Sequence, residues 1–126
     1  MSPEIVSKAV KAYFAAIRAM DEQAWVNTFA EDAISYDPVG APPIIGHQRL
    51  AEFFQTITAA FKEVGLTEDE VFIAGNGAAV KWTGRGVSKQ GQKAHFEGID
   101  VFEVNEAGKI QTLHAYWNPA EMVAQL

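Results

Sequence analysis

With 126 residues, 48% of them apolar, the chain is long enough for one domain (1–126) around one core and too apolar for a disordered tail. Ten Lys and Arg against sixteen Asp and Glu leave a net charge of −6, which provides no basic stripe for phosphates and disfavours nucleic acid as a partner. The lack of cysteine removes disulfides, thiolate metal sites and cysteine nucleophiles, and the short apolar runs argue against a membrane partner or a secretory signal and for a cytoplasmic protein.

Ser2-Pro3-Glu4 predicts a helix start, with a cap, a proline at the first position and an acid in the first turn. Val6, Val10, Tyr13, Ile17 and Met20 follow at helical spacing, so Tyr13 belongs to the core face. Asp21 can cap a shorter second helix running through Trp25 to about Phe29. Ala33 to Asp37 reads as a short strand that enters the stiff loop Pro38-Val39-Gly40-Ala41-Pro42-Pro43. A third amphipathic helix starts near His47, with Leu50, Phe53, Phe54, Ile57 and Phe61 on one side.

Four strands follow: Val64 to Ala74, Ala78 to Val87, Lys93 to Val104 and Lys109 to Trp117. The breaks between them, Gly75-Asn76-Gly77, Lys89-Gln90-Gly91 and Asn105-Glu106-Ala107-Gly108, have hairpin chemistry. After Asn118-Pro119 a short last helix fits. Helices first and an antiparallel meander after them predict an α+β fold with the helices on one face of the sheet.

No dinucleotide fingerprint, phosphate loop or nucleophile elbow occurs, and His47, His95 and His114 lack metal-ligand spacing. Three residues stand against their surroundings. Asp100 lies mid-strand and, at period two, shares a face with Phe96, Gly98, Phe102 and Val104. A charge there is costly, so burial would raise its pKa and leave a neutral hydrogen-bond donor; the alternative is an edge Asp that reaches water. Asp37 precedes Pro38, which taken alone is ordinary turn chemistry, and Tyr13 taken alone is a core tyrosine. On the last strand Leu113, Ala115 and Trp117 share one parity; if they face the helices, an apolar pocket with few polar groups results.

In combination these stretches resemble the ketosteroid isomerases of the nuclear-transport-factor-two-like and SnoaL-like superfamily. The resemblance rests on Ala12-Tyr13-Phe14, on Tyr36-Asp37-Pro38-Val39-Gly40-Ala41-Pro42-Pro43-Ile44-Ile45-Gly46, on Gly98-Ile99-Asp100-Val101-Phe102 and on Gly108 to Trp117. It runs nearly end to end and is weakest from Val64 to Lys93. It implies a cone of helices on a strongly curved, mostly antiparallel sheet. Asp37 takes the family's catalytic base, and Tyr13 with a protonated Asp100 takes its oxyanion hole. Phe29 and Phe54 stand where some isomerases extend a network of tyrosine hydroxyls. With Trp82, Phe96, Phe102, Leu113 and Trp117 they form the expected substrate wall, and Gly84 and Gly86 are further candidates for it.

The reaction so implied moves the double bond of a β,γ-unsaturated 3-ketosteroid into conjugation through a dienolate, without a cofactor or metal. The division of labour between two acids is an established pattern of ketosteroid isomerases. A SnoaL-like polyketide cyclase and a non-catalytic small-ligand-binding domain are the alternatives. Because apolar residues occupy both parities of the late strands, the outer sheet face with Ile99, Val101, Thr112, His114 and Tyr116 is expected to pair in a homodimer, as in the family.

Overall fold

The computed structural model describes residues 1–126. Helix α1 covers Pro3–Arg18. The Ser2 hydroxyl accepts from the Ile5 N–H, Pro3 sits where no backbone donor is needed, and Glu4 faces the positive end of the helix dipole. Val6, Val10, Tyr13 and Phe14 are buried, so the stripe read from the sequence is the packed face.

Helix α2, Glu22–Val26, starts at Asp21, whose carboxylate accepts the Ala24 N–H at 3.0 Å. It stops earlier than expected. The Thr28 N–H and hydroxyl both bond to the Trp25 carbonyl, at 3.1 and 2.7 Å, which tightens the last turn and closes the helix. Phe29 therefore opens β1, Phe29–Tyr36, which is longer than the Ala33-to-Asp37 strand the sequence suggested. A two-residue strand β2, Ile44–Ile45, pairs back antiparallel with Ile34 and Ser35; the proline-rich loop hid it.

Helix α3 runs Gly46–Thr58. The Thr58 hydroxyl bonds to the Phe54 carbonyl (2.8 Å) at its end, and Phe61 belongs to the next strand instead of the helix face. Strands β3 (Phe61–Ala74), β4 (Gly77–Ser88), β5 (Lys93–Val104) and β6 (Ile110–Trp117) form the expected antiparallel meander, and α4 covers Pro119–Val123. Gly75, at φ +58°, takes the first loop position of the β3–β4 hairpin, where a two-residue turn of this kind needs the left-handed region.

The sheet order is β2-β1-β6-β5-β4-β3. β1 lies parallel to β6, so the sheet is mixed at this point. A parallel pair needs a long crossover, here α3 and four strands, and local turn chemistry cannot reveal it. Bulges in β3 near Phe61/Glu63 and Glu68/Glu70 bend the sheet around the helices. Burial alternates at every residue of β5, with Phe96, Gly98, Asp100, Phe102 and Val104 inward, as the period-two reading predicted. A fold of helices on the concave face of a curved α+β sheet results, matching the expected class.

Candidate active site

Tyr13 comes from the third turn of α1, Asp37 from the residue after β1, and Asp100 from the centre of β5. All three line one cavity between the helices and the concave sheet face. Eleven of its fourteen lining residues are hydrophobic, so the few polar atoms must orient whatever enters.

Of the other expected wall residues, Phe54, Trp82, Phe96 and Trp117 line this cavity. Phe29, Phe102 and Leu113 do not. They are 1, 1 and 0% exposed and lie in the core behind it. Phe29 and Phe102 place their rings edge-on to Tyr13, at centroid distances of 5.9 and 5.0 Å, and so hold the tyrosine instead of meeting a ligand. Gly84 and Gly86 are covered by the rings of Phe96 and Phe61, and they make room for those rings. The sequence reading missed Trp25, Ile17, Phe53, Ile57, Val64 and Leu66 on the wall. Ile17, Phe53 and Ile57 were legible as apolar helix-face residues, with no sign that a void stood beside them. α2 is too short to show a period that would place Trp25.

Asp37 is half-buried. The Trp117 indole N–H donates to its Oδ1 at 2.6 Å. Loss of water pushes the carboxyl up to about 6, against the opposing pull of that hydrogen bond. The solvent-near base expected from the loop position is thus more enclosed than the sequence suggested. Asp100 is 2% exposed. Burial raises its pKa well above the ordinary value, the Asp37 charge raises it further, and the Trp82 indole dipole opposes. For Tyr13, burial, and then Asp100 and Asp37 wherever they are ionised, favour the neutral phenol, with Trp25 opposing. Burial thus raises both acids of the pocket: Asp37 is pushed up to about 6, and Asp100 is pushed well above its ordinary value, with the Asp37 charge adding to its rise.

The pocket floor depends on Gly98, which pairs with Trp82 on β4 and Trp117 on β6. A Cβ there would lie 2.6 Å from Trp82 Cζ2, 2.7 Å from Trp117 Cβ and 2.7 Å from the Tyr116 carbonyl oxygen. Gly98→Ala is expected to displace both indoles and to destabilise the fold by roughly 1–3 kcal/mol. Thermal unfolding followed by circular dichroism checks this; an unchanged midpoint would show that the indoles have room to move.

The fold and this acid-lined cavity define a class. A sequence model of the SnoaL-like domain matches residues 10–113, and the chain belongs to that family, within the nuclear-transport-factor-two-like superfamily. More particularly, it is 31% identical over 124 residues to the steroid delta-isomerase of Nocardioides simplex, covering 98% of this chain and 97% of that one. Solved structures share the fold. RV0760c from Mycobacterium tuberculosis superposes with a TM-score of 0.83 at 23% identity, covering 96% of each chain. It has also been solved in complex with estradiol-17β-hemisuccinate. SalBIII, an epoxide hydrolase/cyclase-like enzyme with a role in pyran ring formation in the polyether salinomycin, gives a TM-score of 0.83 at 24% identity over 94% of each chain.

Proposed function

We propose that this chain is a steroid delta-isomerase acting on β,γ-unsaturated 3-ketosteroids. One observation carries the reading: Tyr13, Asp37 and Asp100 meet in a single apolar cavity, where burial raises both carboxyls and the Asp37 charge raises Asp100 further. Ionised Asp37 takes a proton from the carbon between the carbonyl and the alkene. The C–H electron pair moves into a dienolate, and negative charge gathers on the ketone oxygen. Tyr13 O–H and protonated Asp100 donate hydrogen bonds to that oxygen, where they stabilise the transition state more than the ground state. Asp37 then returns the proton at the γ carbon, which leaves the conjugated ketone and regenerates the base. The relative at 31% identity and the steroid-type ligand of RV0760c support a flat apolar substrate.

Absorbance of the conjugated product, followed on a β,γ-unsaturated 3-ketosteroid, tests the reading. Turnover no faster than the buffer reaction would refute it. Binding of the steroid without turnover would favour a ligand-binding domain.

The pH profile follows from Asp37. A protonated base cannot accept the substrate proton, and the carboxyl protonates as pH falls through about 6. kcat/KM is expected to fall about tenfold per unit below that value and to level off above it. A profile that stays flat down to pH 5 would rule out Asp37 as a base with this pKa.

The outer sheet face leaves Ile99 45%, Val101 39% and Tyr116 52% exposed. We propose that a second copy covers this face. Sedimentation at micromolar concentration is expected to give a dimer, and Val101→Lys to give a monomer; a monomeric parent protein would contradict this.

A further inference from the structure

The chain has three tryptophans, and all three line the cavity. Trp117 is accounted for by its bond to Asp37. Trp25 and Trp82 are not. Each is 2% exposed, and each holds an Nε1–H that is fully buried without a hydrogen-bond partner. Buried orphan donors are costly and uncommon, so two beside one cavity call for a reason.

Their positions supply one. The Trp25 ring lies 5.9 Å from that of Tyr13, 4.9 Å from Phe29 and 5.1 Å from Phe54. Phe29 and Phe54 have no hydroxyl, so Nε1 is the one polar side-chain atom in this aromatic wall behind Tyr13. Trp82 pairs with Gly98 across the strands, and Asp100 lies two residues further along the same face. That is the diagonal position, within reach of a long aromatic side chain. Each indole thus stands next to one of the two groups assigned to the developing oxyanion.

We propose that Trp25 and Trp82 are positioning residues that back the two oxyanion donors, the Trp25 N–H donating to the Tyr13 hydroxyl oxygen and the Trp82 N–H to the Asp100 carboxyl. The proposal rests on the isomerase reading for its catalytic part. When Tyr13 and Asp100 donate to the dienolate oxygen, negative charge builds on their own oxygens. A donor behind each oxygen then strengthens, because linked hydrogen bonds polarise one another. The bonds are loose in the empty site and tighten as charge develops, so they favour the transition state over the bound ketone. Indoles here do the work that tyrosine hydroxyls would do at positions 29 and 54.

The test uses the whole protein and two independent readouts. The three indole N–H signals in a nitrogen-15 correlation spectrum are assigned with Trp25→Phe, Trp82→Phe and Trp117→Phe. Without ligand, Tyr13→Phe keeps the ring but removes the acceptor, and it is expected to move the Trp25 signal upfield while leaving Trp117 in place. Asp100→Leu should do the same to Trp82. In turnover, Trp25→Phe and Trp82→Phe are each expected to lower kcat by about two- to tenfold with little change in KM, the size of one hydrogen bond. Signals that stay put in Tyr13→Phe and Asp100→Leu overturn the pairing, even if a tryptophan variant fails to fold. Signals that move while kcat stays at the parent value overturn the catalytic role. A parent protein inactive on the ketosteroid refutes the isomerase reading instead, and the spectra still decide the pairing.

Discussion

Asp37→Asn is expected to lower turnover by about a hundred- to ten-thousand-fold, the usual range for loss of a general base. The amide is of similar size, and its oxygen can still accept the Trp117 N–H, so the pocket should keep its shape and its affinity for steroid. The same change should stabilise the fold, in a pH-dependent way. Asp37 ionises near 6 in the folded protein against an ordinary value of 3.8. Below 3.8 the carboxyl is protonated in both the folded and unfolded chain, and no penalty exists. As pH rises through about 6, the folded state comes to carry a buried charge at a cost of at most about 3 kcal/mol, from the 2.2-unit gap between 3.8 and 6. Asn never ionises. Its unfolding midpoint should therefore exceed that of the parent protein at pH 8 and approach it near pH 4. Near-parental turnover in the purified variant would exclude Asp37 as the base.

The second large effect is at Asp100, where the proposed mechanism uses the proton and not the charge. Asp100→Ala removes an oxyanion donor and is expected to cost roughly a hundred- to a thousand-fold in kcat. Asp100→Asn keeps an N–H donor and should lose less. Asp100→Leu puts an apolar side chain into an apolar wall, so it should lose activity but stay folded. Tyr13→Phe should also lose turnover while folding normally, and its loss should not simply add to that of Asp100→Ala, since both donors act on one oxygen. A carbon-13 titration of the Asp100 carboxyl complements the kinetics. Titration in the ordinary carboxylate range, together with equal activity in the Asn and Ala variants, would sink the neutral-donor role.

The inward face of β5 was legible because period two is unambiguous over a strand whose burial alternates without a break, and Asp100 stood out against it. The first stripe was legible for the same reason at period 3.6. What the chain did not reveal depended on contacts between distant segments. The parallel pairing of β1 with β6 has no local signature. β3 starts at Phe61 with a bulge immediately after it, which breaks the alternation that would have placed Val64 and Leu66 on the wall. Phe29, Phe102 and Leu113 were assigned to the ligand wall on parity or resemblance. Parity separates inside from outside, yet it cannot separate a side chain facing a void from one packed a layer deeper. Trp25 escaped because five helical residues carry no periodicity.

The parallel contact between β1 and β6 also bears on how the protein reaches its native state. Asp37 and Trp117, joined by a hydrogen bond in the cavity, are 80 positions apart. Two further bonds join the same pair of segments, Gln111 to Asp32 and Lys109 to the Asn27 carbonyl, at separations of 79 and 82. Closing so large a loop costs chain entropy before any contact repays it, whereas the three hairpins of the meander close locally. The hairpins should consequently form ahead of the β1–β6 seam, with Asp37 bound to its indole partner among the last events. A folding chain would hold most of its sheet and helices while Asp37 still lacked its indole partner, until β6 docked beside β1.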